Sequence, residues 1–188
     1  MPLNLPNLVT LLRILLIPLI VGIFYLPDTW LSDEGKNISA TVVFVVAAIT
    51  DWLDGYLARR LNQISAFGVF LDPVADKLVV VGALIVLLKL GRVDMVVGLI
   101  IIGREIAISA LREWMARLGQ AKSVAVAYIG KLKTVLQMVA IPLLLFEDRL
   151  FGVIDCYVLG TVLIYVAAVL TVISMLYYLR RALPLAQG

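Results

Sequence analysis

Apolar runs of about twenty residues recur along this chain, the first being LVTLLRILLIPLIVGIFYL at 8–26. A helix needs about 20 residues to cross a bilayer core. Backbone placed in lipid must satisfy its own hydrogen bonds, which favours helices. Hydrophobic residues make up 63% of the 188 and charged residues 15%, against about half and a quarter in soluble domains. The pattern predicts an all-α integral membrane protein of one domain over 1–188. Its six transmembrane helices are placed near 7–26, 38–61, 70–90, 93–118, 122–147 and 150–182. The N-terminal MPLNLPN has no basic stretch before its apolar run and no small-x-small site, so it reads as a retained first span rather than a leader.

What is missing narrows the chemistry. Cys156 is the single cysteine and there is no histidine, which excludes an intrachain disulfide and any Cys/His metal cluster. A bound metal must have oxygen ligands, as suits a hard cation such as Mg²⁺ or Mn²⁺. The formal charge of +3 gains meaning only from its distribution. The connection PDTWLSDEGKN and the EDR at 147–149 fall on one side. Arg59, Arg60, Arg112, Arg117, Lys122, Arg180 and Arg181 fall on the other, so both termini are predicted to be cytoplasmic. Lys89 and Arg92 run against that bias.

Against this background, DWLDGYLARRLNQISAFGVFLDPVADK at 51–77 stands out. Asp51 and Asp54 are three apart and Asp72 and Asp76 four apart, so each pair shares a helix face. The predicted topology puts both pairs roughly 10–15 Å below the cytoplasmic helix ends. Four carboxylates near lipid repel one another and resist desolvation, and two bridging divalent cations would hold them. Gly55 and Ala58 remove bulk beside the acids, and Arg59 offers a planar fork for phosphate. Some members have ordinary readings too. Asp72 before Pro73 has the form of a helix N-cap, Asp76 could pair with Lys77, and Arg60 reads as an interfacial anchor.

Asp51, Asp54, Gly55, Ala58, Arg59, Gly68, Asp72 and Asp76 meet the pattern D-x-x-D-G-x-x-A-R-x(8)-G-x-x-x-D-x-x-x-D without a gap. This resembles the signature of the CDP-alcohol phosphotransferases. The resemblance implies a six-helix, usually dimeric enzyme that displaces CMP from a CDP-linked lipid with an alcohol. It implies that the four aspartates hold two Mg²⁺ or Mn²⁺ ions and that Asp76 is also the general base. Gly55, Arg59 and Ser65 would contact the CDP group, as would Asn7, Thr10 and Arg13 in NLVTLLR. Asn7 after Pro6 could instead cap the first helix, and Ser65 could be a plain loop hydroxyl.

Two further stretches bear on the acceptor alcohol. IIGREIAISALREWMARLG carries Arg104 and Arg112 eight apart, about 80° around a helix. SVAVAYIGKLKTVLQMVA carries Lys131 and Lys133. Unmatched cations at that depth suit a multiply charged anion such as a phosphomonoester. The alternative is that Glu105 and Glu113 balance the arginines while the lysines snorkel to the interface. Both stretches, with LPNLVTLLRILLIP, resemble the bacterial family members that use CDP-diacylglycerol as donor and sn-glycerol 3-phosphate as acceptor. That implies a phosphatidyltransferase of the bacterial inner membrane, its site facing the cytoplasm. Its partners would be its two substrates, membrane lipids and a second copy of itself, with no role for nucleic acid. Rival readings are an inositol phosphate acceptor, phosphatidylglycerol as in a cardiolipin synthase, a divalent-cation carrier, or an inactive lipid-binding scaffold.

Overall fold

The computed structural model describes residues 5–61, 66–117 and 128–182. Six helices carry the chain: α1 Leu5–Ile23, α2 Asp33–Leu61, α3 Ala66–Lys89, α4 Met95–Arg117, α5 Tyr128–Phe146 and α6 Cys156–Ala182. The boundaries follow local chemistry. Ser32 Oγ accepts from the Gly35 amide at 3.2 Å, and Asp33 and Glu34 sit in the first turn of α2. Carboxylates there complement the helix dipole, so α2 starts five residues before the apolar pattern does. Asp155 Oδ1 caps α6 by accepting from Val158 N at 3.0 Å. Ahead of it, strands β1 Arg149–Leu150 and β2 Ile154–Asp155 form a small antiparallel hairpin. Gly152 turns it at φ 71°, and α6 therefore begins at 156 rather than 150.

Helix α3 begins at Ala66, so Asp72 and Pro73 lie inside it. The N-cap reading of Asp72 does not hold. Its carboxylate meets α1 instead, as described below.

Helix α1 packs along both α2 and α3, which touch each other little. A Cβ on Gly82 of α3 would lie 2.8 Å from Ile17 Cγ2 of α1, so glycine permits that approach. Helices α5 and α6 pair closely, α4 lies on α6, and α2 lies on α5. Ile20, Phe44, Leu84, Leu87, Ile101, Ile141, Leu144 and Ile164 fill the common core. Leu15, Leu99, Val158 and Val169 are among many large apolar side chains on the outside, more than a water-facing surface normally carries. Among the described residues, Cys156–Arg180 is long and apolar enough to cross a membrane, and Asn7–Ile23 and Leu132–Phe146 are shorter apolar helices.

One end of the bundle is tied by Arg92, in the α3–α4 connection. Its guanidinium donates to the Leu144 and Leu145 carbonyls at 3.2 and 2.9 Å, to Asn37 Oδ1 at 2.9 Å, and pairs with Glu147. Burial pushes this guanidinium below the usual arginine value, and Glu147 draws it back. Lys89 lies 3.8 Å from the centre of the Tyr25 ring. These local partners account for the two cations that run against the positive-inside bias.

Candidate active site

The site begins with a cation inside α1. Arg13 is 1% exposed, and a buried guanidinium needs counter-charge. It finds Asp51 of α2 at 3.0 Å between Nη1 and Oδ1, and the same Nη1 pairs with Asp76 Oδ1 of α3. One turn earlier, Thr10 Oγ1 donates to Asp72 Oδ1 at 2.7 Å, and Asn7 is buried on the same helix. Thus α1 stands between the two acid-bearing helices and gathers their carboxylates. Asp76 pairs with Arg13 rather than with Lys77.

Two carboxylates present oxygen to a single positive nitrogen, and all-oxygen donors of this kind suit a hard cation in their chemistry. No group of three acids among the described residues is close enough to hold one by itself. The side chains of Asp54, Gly55, Arg59, Arg112 and Lys131, and the whole of Ser65, lie outside the described residues. Gly68 is buried near the start of α3.

A second polar group lies across α4, α5 and α6. Glu105 pairs with Lys133 and accepts from Arg104 Nη1 at 3.2 Å. Arg104 Nη2 donates to Ser174 Oγ at 3.3 Å, and its Cζ lies 5.9 Å from the Tyr178 ring centre. Lys133 is 2% exposed, so it does not snorkel, and it and Arg104 are not unmatched cations as the spacing implied. They share Glu105 as counter-ion.

Between the two groups is a cavity of about 130 Å³ lined by Asp51, Asp76, Lys77, Val80, Glu105, Thr134, Gln137 and Met138. Lys77 entered the sequence reading only as a partner for Asp76, and Glu105 only as charge balance. Thr134 and Gln137 did not enter at all, although polar side chains on an apolar helix are a signal. Met138 also borders an apolar groove of about 300 Å³ with Phe44, Val45, Ala48 and Ile49. It borders a second of about 500 Å³ between α2 and α5, lined by residues including Ile38, Val42, Val139, Pro142 and Phe146. A polar cavity therefore adjoins apolar grooves on the outer face, an arrangement suited to a molecule with a charged head and hydrocarbon tails.

Residues 3–173 match the CDP-alcohol phosphatidyltransferase family. Proteins of Shigella flexneri serotype 5b (strain 8401) and Escherichia coli (strain K12), both called CDP-diacylglycerol–glycerol-3-phosphate 3-phosphatidyltransferase, are 49% identical over 184 residues. Each alignment covers 97% of this chain and 96% of the relative.

Proposed function

Since this chain belongs to the CDP-alcohol phosphatidyltransferase family, we propose that it transfers the phosphatidyl group of CDP-diacylglycerol to sn-glycerol 3-phosphate, releasing CMP and phosphatidylglycerophosphate. The similar proteins of Shigella flexneri and Escherichia coli carry the name of that reaction. The observation that carries the proposal is the cavity with acids on one wall and the Glu105-bound cations behind another, opening beside apolar grooves. It sets acids, cations and apolar grooves side by side, as a diphosphate, a phosphorylated alcohol and acyl chains would require.

In this reading an acceptor hydroxyl attacks the phosphorus that bears diacylglycerol. The phosphoanhydride bond breaks, and CMP departs with the bridging oxygen. Asp76, facing the cavity, takes the hydroxyl proton. Arg13 lies between Asp51 and Asp76 and draws the two carboxylates together; with Asn7 and Thr10 it faces the nucleotide. Gly55, Arg59 and Ser65 border the CDP group by their place in the motif. Asp51, Asp54, Asp72 and Asp76 are the residues that would hold two Mg²⁺ or Mn²⁺ ions, whose positive charge would neutralise the diphosphate and stabilise the leaving group. Arg104 and Lys133, with Arg112 and Lys131, address the acceptor phosphate. The protein works as a six-span dimer in the bacterial inner membrane, with termini and site on the cytoplasmic side.

The test is CMP release by purified protein in detergent with CDP-diacylglycerol and Mg²⁺. Acceptors are sn-glycerol 3-phosphate, inositol phosphate and phosphatidylglycerol, each offered alone with and without EDTA. Release with glycerol phosphate alone, lost on chelation, is the expected result. Release with another acceptor overturns the acceptor assignment, and EDTA-insensitive release overturns the metal dependence.

A further inference from the structure

Resting on that reaction, we infer that Gln137 is an acceptor-binding residue whose Nε2 donates to the glycerol phosphate hydroxyl that does not attack. Gln137 is 3% exposed, and its Nε2 is buried with no hydrogen-bond partner among the described residues. A buried amide donor left unmade is costly, and such exceptions in folded proteins mark the place of a water, ion or ligand. The residue lines the same cavity as Asp51 and Asp76. At about 130 Å³, that space has room for about four waters of ~30 Å³ each, or for a three-carbon polyol.

The neighbours define what this donor can read. Thr134 lies three residues earlier on the same face of α5. Its hydroxyl donates to the Gly130 carbonyl at 3.0 Å, so its oxygen remains as an acceptor. A substrate hydroxyl both donates and accepts; it can receive Gln137 Nε2 and give its proton to Thr134 Oγ1. Of the other lining residues, Val80 and Met138 make no hydrogen bond of this kind, Asp51, Asp76 and Glu105 accept, and Lys77 is charged. Gln137 is thus the neutral donor of the cavity.

The attacking oxygen is a poor partner for it, because a donor placed on that oxygen would hold the lone pair needed for attack. The phosphate is addressed by cations. The remaining polar group of the acceptor is its second hydroxyl.

The test compares kcat/KM for sn-glycerol 3-phosphate with kcat/KM for 3-hydroxypropyl phosphate, which keeps a terminal hydroxyl and lacks the middle one. Both are measured with CDP-diacylglycerol and Mg²⁺ by CMP release. The parent protein is expected to prefer glycerol phosphate by about tenfold or more, the worth of one well-placed hydrogen bond in a dry site. In Gln137→Met, which keeps length without a donor, that ratio collapses toward one; Gln137→Leu serves as a second variant and gives the same result. A parent ratio near one overturns the inference. So does a ratio kept in the variants, or loss of both acceptors in parallel, since either assigns Gln137 a purely structural role. If the parent turns over neither phosphate, the reaction itself is wrong and the inference falls with it.

Discussion

Asp76 meets three demands at once: it borders the cavity, pairs with a buried arginine, and sits opposite Asp51. Asp76→Asn keeps the shape and removes the basic oxygen. Turnover is expected to fall by about 10²–10⁴, the range for a lost general base, while the protein still elutes as a single species from a sizing column. Near-parental CMP release would remove Asp76 from the chemistry. Lys133 tests the other wall. In Lys133→Met, one charge-assisted contact is lost, worth about 1.5–3 kcal/mol, so KM for glycerol phosphate should rise roughly 10–150-fold. KM for CDP-diacylglycerol should barely change; if both rise together, Lys133 supports the fold through Glu105 and does not bind the acceptor.

Asp51, Asp72, Asp76 and Arg13, which the structure brings together, stand out in the sequence because charge inside an apolar helix has few reasons to exist. Gln137 and Thr134 do not, because neutral polar residues are common there and spacing alone does not say which face meets a cavity. Asp72 was ambiguous for a local reason. A proline after an acid often begins a helix, but here α3 is already under way at Ala66.

Among the elements, α1 has the role that spacing could not disclose. Its Arg13 stands out as a charge in an apolar span, but the pattern does not say that the helix inserts between α2 and α3 and supplies Thr10 and Arg13 to their acids. Helix existence was readable from hydropathy, whereas helix ends depended on Ser32, Asp155 and the small hairpin. The far end of the bundle is held separately. Asn37, a partner of Arg92, lies fourteen residues before Asp51 on α2, about 21 Å along the axis. Arg92→Ala removes the donor that satisfies the last carbonyls of α5, so thermal stability in detergent should drop by about 1.5–3 kcal/mol. Below the new transition kcat/KM should stay near parental; a large loss of activity without loss of stability would show that this end communicates with the site.

For the whole molecule, the Arg92 contacts bring the start of α2, the α3–α4 connection and the end of α5 to one end. That end also carries the exposed acids Asp28, Asp33, Glu34, Asp94 and Asp148. Basic residues are favoured on the cytoplasmic side, and Arg180 lies near the far end of α6, 24 residues beyond Cys156. A helix segment of that length spans about 36 Å, enough to carry Arg180 across the bilayer core. These features predict that the acid-bearing end faces away from the cytoplasm and Arg180 toward it. In a Cys156→Ala background, single cysteines at Asp28→Cys, Asp148→Cys and Arg180→Cys report it directly. On intact spheroplasts, a membrane-impermeant maleimide should label the first two, and should reach the third only after lysis. Labelling of Arg180→Cys alone before lysis would invert the molecule. The acid-lined cavity would then open away from the cytoplasm, where a soluble phosphorylated acceptor could not reach it, and the proposed reaction would lose its substrate supply.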